Sequence, residues 1–136
     1  MRFSPKQSMR DKVSLYARTH LWRVPSERFI LPQFSLYNSS CHFNAVSAVN
    51  AGRADTVWLV VANGVIHFIN SKDGKFFDET WGMFIDDVEF HVIRRIHPSE
   101  YSEVYDILCD TKKSFVNMLG SPLQKFIQWR SPHYMI

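Results

Sequence analysis

The sequence has few of the features that identify the simplest protein classes. Its 136 residues include only two cysteines, Cys41 and Cys109, with no Cys-x-x-Cys pair, so it predicts neither a zinc ribbon nor a thioredoxin-like site. No apolar run approaches the roughly 18 to 20 residues of a membrane span. The first residues also lack the apolar stretch of a signal peptide. We therefore expect a reducing, cytoplasmic location and no membrane partner.

The chain also lacks a concentrated charge of either sign. Its 16 Lys and Arg residues oppose 13 Asp and Glu residues, and the net charge of +3 is scattered along the sequence. A nucleic-acid partner needs a concentrated basic surface, so this distribution disfavours one. A hydrophobic content of 46% over this length predicts one compact domain spanning residues 1–136.

Apolar periodicity predicts three helices. The first covers Pro5 to His20, and the second runs from Cys41 to Ala51, with Ser39 or Ser40 as its cap and Gly52 as its end. The third is a long helix from Ser99 to Leu119. Residues 21–40 contain two prolines and predict extended segments without a regular element.

Four short runs predict strands, and Asn-Gly and Asp-Gly pairs predict the turns between the first three. The runs are Thr56–Ala62, Val65–Asn70, Lys75–Thr80 and Val88–Ile96. The first has no alternation, which is typical of a strand buried on both faces. The sequence thus predicts an α+β fold: an antiparallel sheet of about four strands packs against the helix that begins at Cys41 and the long helix near the C-terminus.

A two-residue turn at Asp73-Gly74 fixes the register of the hairpin around it. Lys72 then faces Lys75, and extending the register places His67 and Asp78 on one face as diagonal neighbours, about 7 Å apart by Cα. A carboxylate bonded to one ring nitrogen fixes the tautomer and orientation that a basic imidazole needs. The register therefore predicts a His67–Asp78 pair.

Cys41 stands at the predicted start of a helix, where free amides and the helix dipole favour a thiolate. The order Cys, His, Asp, with the cysteine opening a helix that leads into an antiparallel sheet, resembles the papain-like superfamily, including its NlpC/P60-like group. The likeness is closer to the transglutaminase-like group, whose second half is similar to the stretch His67-Phe68, Asp73-Gly74, Phe76-Phe77 and Asp78-Glu79-Thr80. It covers residues 38–81.

The resemblance implies that Cys41 is the nucleophile, His67 the general base and acid, and Asp78 the residue that orients His67. It further implies a polar side chain upstream of the cysteine that helps to bind the oxyanion, for which Gln33 and Asn38 are the candidates, together with the Cys41 backbone amide. The implied function is a small cysteine-dependent hydrolase or acyl transferase, such as a peptidase, amidase, deamidase or transglutaminase-like enzyme. It acts on an amide or thioester bond and needs no cofactor. The residues expected to line its cleft are Asn44, Trp58, Phe68 and Trp81.

Each of these residues also has a structural interpretation. Cys41 could be a small buried hydrophobe, His67 a strand histidine with satisfied hydrogen bonds, and Asp78 a turn cap. The alternative function is accordingly a non-catalytic interaction module, an inhibitor or adaptor such as a mobile element encodes. In both cases the expected substrate or partner is a protein or peptide, and the oligomeric state is open.

Three further histidines, His42, His91 and His97, are interpreted as surface or capping residues. A metal site formed by Cys41, His42 and His67 is disfavoured, because two adjacent ligands would both have to point inward from one helix start. We therefore expect no metal.

Overall fold

A computed structural model describes residues 5–37, 40–82 and 88–110. These ranges contain three α-helices and five strands, an α+β arrangement as the sequence predicts. In chain order they are α1 (Pro5–His20), β1 (Trp22–Arg23), α2 (Cys41–Asn50), β2 (Thr56–Ala62), β3 (Val65–Lys72), β4 (Lys75–Phe77), β5 (Phe90–Ile96) and α3 (Tyr101–Asp110), with short 3-10 turns at Ser26–Arg28 and Pro98–Glu100.

The strands form one sheet in the order β1-β5-β2-β3-β4, and every neighbouring pair is antiparallel. The prediction of four strands missed β1, and the prediction that residues 21–40 form no regular element was wrong. β1 pairs Trp22 with Val92 and Arg23 with His91. Two residues carry no periodicity, so this strand is specified by the edge of β5 rather than by local sequence.

Two tight turns set the register of the central hairpins. Asn63 and Gly64 have φ of 49° and 80°, and Asp73 and Gly74 have 51° and 78°, as type I′ turns require. The pairs Asn70–Phe77, Ser71–Phe76 and Lys72–Lys75 confirm the predicted register. β4 ends at Phe77, earlier than predicted, because the Asp78 side chain accepts the next free backbone amides and turns the chain.

The two faces of the sheet have different coverings. One face carries Val57, Leu59 and Val61 of β2 and packs against all three helices, through side chains that include Val13, Cys41 and Val104. α1 therefore joins the two helices predicted to cover the sheet. The other face is largely aromatic and is covered by the segment between β1 and α2; its members include Val24, Phe29, Phe76, Phe90 and Trp81. Both faces of β2 are buried, as its unbroken apolar run predicts.

α2 presents its small residues to the sheet and ends at a glycine. Cys41, Ala45 and Ala48 are buried. Gly52, at φ 80°, donates to the Val49 carbonyl, and the next amide donates to the Ala48 carbonyl, which closes the helix as predicted. Ser40 occupies the N-cap position, but its side chain makes no capping hydrogen bond.

α3 follows a capped 3-10 turn, in which the His97 side chain accepts the Ser99 amide and Glu100 accepts the His97 amide. The predicted continuation of this helix past residue 110 lies outside the described residues. Within residues 5–37, 40–82 and 88–110, no helix has the length and apolarity needed to cross a bilayer.

Candidate active site

A histidine and a carboxylate from the β3–β4 hairpin form a buried pair. His67 lies in β3 and Asp78 directly follows β4, and the distance from His67 Nε2 to Asp78 Oδ2 is 2.7 Å. Each side chain is only 1% exposed. The hairpin register places the two residues on the aromatic face of the sheet, as the sequence predicts from the Asp73-Gly74 turn. The contact depends on that register, since a shift of one residue would put the two side chains on opposite faces.

The Asp78 carboxylate is held by its own turn. Its Oδ1 atom accepts the backbone amides of Thr80 at 2.9 Å and Trp81 at 3.1 Å. These two bonds leave Oδ2 directed at His67. The carboxylate is thus oriented by backbone amides two and three residues away in the sequence.

The imidazole of His67 is enclosed by aromatic rings. Trp81 stacks on it with ring centroids 3.9 Å apart and an interplanar angle of 14°, and Phe90 lies 6.5 Å away on a tilted plane. Such an apolar enclosure restricts rotation of the ring and strengthens the hydrogen bond to Asp78. Trp81, predicted to line a cleft, therefore covers the histidine directly.

Cys41 approaches the same imidazole from the start of α2. The cysteine is 5% exposed and forms no disulfide. Because Asp78 occupies Nε2, the ring atom left for the thiol is Nδ1. Nδ1 is buried and makes no aligned hydrogen bond. Cys41 nevertheless lies close enough to raise the pKa of His67.

The protonation of His67 reflects opposing effects. Burial lowers the pKa of His67, whereas the hydrogen bond to Asp78, the neighbouring Cys41 and the negative charges of both residues raise it, with a net pKa of about 9. The imidazole is therefore positively charged at neutral pH. A charged imidazole thus lies beside the sulfur atom of Cys41 at the start of α2.

The predicted cleft residues have different environments. Asn44, one helical turn after Cys41, donates from Nδ2 to Thr80 Oγ1 at 2.9 Å, next to the Asp78 turn. Trp58 lies on the aromatic face, where its Nε1 donates to Ser71 Oγ at 2.8 Å. Phe68 lies on the opposite, helix-covered face and is 4% exposed. The structure therefore places Trp81 against His67 and Asn44 against the Asp78 turn, whereas Phe68 packs in the core cluster that contains Cys41.

Within the described part of the chain, neither side chain predicted to bind the oxyanion is found beside Cys41. Gln33 is exposed and lines a cavity of about 420 Å³ with Gly52 and Lys72, at the C-terminal end of α2. Cys41 opens this ten-residue helix, so roughly 15 Å of helix lies between the two places. Asn38 lies outside the described residues. The Cys41 amide, in the first turn of α2, belongs to the group of helix amides that have no intrahelical acceptor.

Two of the three histidines interpreted from the sequence as surface or capping residues are buried. His42 is 5% exposed, and burial lowers its pKa to about 4. Neither of its ring nitrogens has a hydrogen-bond partner, and its ring packs edge-on against Phe68. His91 is 4% exposed, and burial lowers its pKa as well. The surface interpretation was wrong for both because long-range packing covers them, while His97 is a cap as predicted.

An ion pair next to Asp78 was not predicted from the sequence. Glu79 is 2% exposed, and its two carboxylate oxygens accept from Arg53 Nε and a terminal guanidinium nitrogen, each at 2.9 Å. Twenty-six residues separate the partners. No local sequence pattern predicts a contact between residues so far apart in the chain. The pair ties the end of α2 to the residue that follows Asp78.

Within the described ranges, no group of three or more His, Cys, Asp or Glu side chains is arranged to hold a metal ion. Comparison with protein-family models, curated proteins and solved structures finds no significant match.

Proposed function

We propose that this protein is a small cysteine-dependent hydrolase or acyl transferase that acts on an amide or thioester bond of a protein or peptide. One observation carries the proposal: the buried His67–Asp78 pair lies against Cys41 at the start of a helix. Kinship with papain-like and transglutaminase-like enzymes is part of the proposal. So is a cytoplasmic location, where thiols stay reduced.

The arrangement supports a two-step acyl transfer. The Cys41 thiolate attacks the carbonyl carbon, and the bond to the leaving amine or thiol breaks as His67 donates a proton to it. A water or amine then attacks the acyl-cysteine, gives its proton to His67 and releases the sulfur. Asp78 holds the imidazole in one tautomer during both steps. The Cys41 amide is the available donor to the oxyanion.

A second candidate, a non-catalytic interaction module, is favoured by two observations. The cysteine and histidine are both buried, so a substrate needs a local opening to reach them. The chain before α2 also exposes a series of large apolar side chains, which is typical of a protein-binding surface. They are Ile30, Leu31, Phe34, Leu36 and Tyr37.

Thiol reactivity tests the catalytic function. In a Cys109→Ser background, Cys41 is the only thiol, and its alkylation by iodoacetamide is followed by mass spectrometry from pH 5 to 9. We expect substantial alkylation at pH 6 to 7, and a roughly tenfold or greater loss of rate at that pH in His67→Ala, because the cation that favours the thiolate is gone.

His97→Ala is the matched control, since this exposed histidine caps a turn away from Cys41. An activated acyl ester then tests turnover: an acetyl adduct should accumulate on Cys41 and should be absent in Cys41→Ser. A pH profile of alkylation that is identical in His67→Ala and the parent would refute the catalytic proposal and leave the interaction module.

A further inference from the structure

A chain of hydrogen bonds joins the helix that carries Cys41 to the turn that carries Asp78. Asn44 Nδ2 donates to Thr80 Oγ1 at 2.9 Å, the Thr80 amide donates to Asp78 Oδ1 at 2.9 Å, and Asp78 Oδ2 meets His67 Nε2. The chain thus begins one helical turn after the nucleophile and ends at the base. It joins segments that are far apart in sequence, since Asn44 and Thr80 are separated by 36 residues.

Thr80 connects the two segments through different atoms. Its hydroxyl accepts from α2, while its backbone amide holds the carboxylate. Asn44 and Thr80 are 4% and 3% exposed, so water cannot readily replace the bond between them. The position of the Asp78 turn relative to the first turns of α2 therefore depends on this side-chain contact, while the Arg53–Glu79 ion pair holds the turn from beyond the C-terminal end of the helix.

A second contact fixes the same part of α2 to the strand of the histidine. Asn70, in β3, donates from Nδ2 to the Ala45 carbonyl at 2.9 Å and to the Thr56 carbonyl at 3.1 Å. The first turns of α2 are thus tied to β3 by Asn70 and to the Asp78 turn by Asn44. Of the two ties, only the one through Asn44 reaches the carboxylate.

We propose that Asn44 and Thr80 are positioning residues that set the distance from Cys41 to the His67–Asp78 pair. Neither residue belongs to the proposed Cys-His-Asp triad; they act by holding two catalytic segments in register. This inference rests on the proposed function for its effect on reactivity. The coupling of the Asp78 turn to α2 does not depend on catalysis, and it can be measured through the pKa of His67.

Matched substitutions at Thr80 test the proposal. Thr80→Val keeps the shape and the backbone amide but removes the acceptor for Asn44, whereas Thr80→Ser keeps the hydroxyl. In the Cys109→Ser background we expect Thr80→Val and Asn44→Ala to slow Cys41 alkylation at pH 7 roughly tenfold, because a small displacement of α2 moves the sulfur away from the imidazole. Thr80→Ser should retain the parent rate within about twofold.

A control variant separates positioning from general loss of stability. Ser71→Ala removes the partly buried hydrogen bond that Trp58 donates, which involves neither α2 nor the Asp78 turn. It should lower the free energy of unfolding without slowing alkylation. Equal alkylation rates in Thr80→Val and Thr80→Ser, or equal slowing in Ser71→Ala, would overturn the proposal.

The titration of His67 distinguishes failure of this inference from failure of the proposed function. It is followed by NMR of ¹³C-labelled histidine, with His67→Gln to assign the signal. A loosened Asp78 turn should bring the His67 pKa down from about 9 in Thr80→Val and not in Thr80→Ser. If His67→Ala leaves Cys41 alkylation unchanged, the proposed catalytic function is wrong. The positioning role of Asn44 and Thr80 is then tested by the titration of His67. Equal His67 pKa values in Thr80→Val and Thr80→Ser would overturn that role.

Discussion

At the scale of single residues, the same physical effect acts with opposite outcomes on two histidines. Burial lowers the pKa of both His67 and His42. His67 nevertheless keeps its proton because its contacts with Asp78 and Cys41 raise its pKa, while His42 has no such partner and stays neutral at pH 7. The partner, rather than the degree of burial, decides which histidine is a candidate for proton transfer.

His42 provides a prediction about stability. Both of its ring nitrogens are buried without hydrogen-bond partners, so its imidazole carries a desolvation cost that an apolar side chain of similar volume avoids. We expect His42→Leu to raise the free energy of unfolding by about 1 kcal/mol at pH 7. Urea denaturation measures this change. Phe68→Leu is the control, since it alters the packing partner of His42 without removing a polar group and should destabilise.

At the scale of elements, the sequence predicts what is set locally. The two Asn-Gly and Asp-Gly turns fix the hairpins, and the register from Asp73-Gly74 brings His67 and Asp78 to one face. Other features depend on segments that meet only in the folded chain. They are β1, the burial of His42 and the Arg53–Glu79 pair. A single sequence contains no periodic signal for such contacts. The proximity of Cys41 to His67 belongs to this second class, because it follows from how α2 packs.

The Asn63-Gly64 turn gives a prediction with an internal control. A Cβ at Gly64 would overlap the backbone carbonyl of Arg10 in α1, while a Cβ at Gly52 would meet nothing within 4 Å. Both glycines have φ of 80°, so alanine at either position carries the same left-handed strain.

We therefore expect Gly52→Ala to lower the free energy of unfolding by about 1 to 2 kcal/mol. Gly64→Ala should lower it by clearly more, because α1 must also shift. Chemical denaturation of the two variants provides the comparison. Equal losses would mean that α1 accommodates the added methyl group without cost.

At the scale of the whole molecule, two of the buried histidines, His67 and His42, limit the pH range of maximal stability from opposite sides. The pKa of His67 is about 9 in the folded chain and near 6.5 when unfolded. Its contribution to stability is complete below pH 6.5 and is lost as the pH rises through 9. The pKa of His42 is about 4 when folded, so its contribution is present above pH 6.5 and is lost as the pH falls through 4.

We expect the free energy of unfolding to be highest near pH 6.5 and to decline on both sides. Each histidine changes the free energy of unfolding by an amount on the order of 3 kcal/mol, because its pKa differs by roughly 2.5 between the folded and unfolded chain. His67 gives the alkaline limb of the profile and His42 the acid limb. Urea denaturation at several pH values between 4 and 10, under reducing conditions, measures the profile. His67→Gln should flatten the alkaline limb and leave the acid limb. His42→Leu should reduce the acid limb, to which the buried His91 also contributes, and leave the alkaline limb. The free energy of unfolding could instead decline above pH 6.5 as steeply in His67→Gln as in the parent. Other groups would then cause the alkaline decline. That result would contradict a positively charged His67, on which the proposed Cys41 thiolate depends.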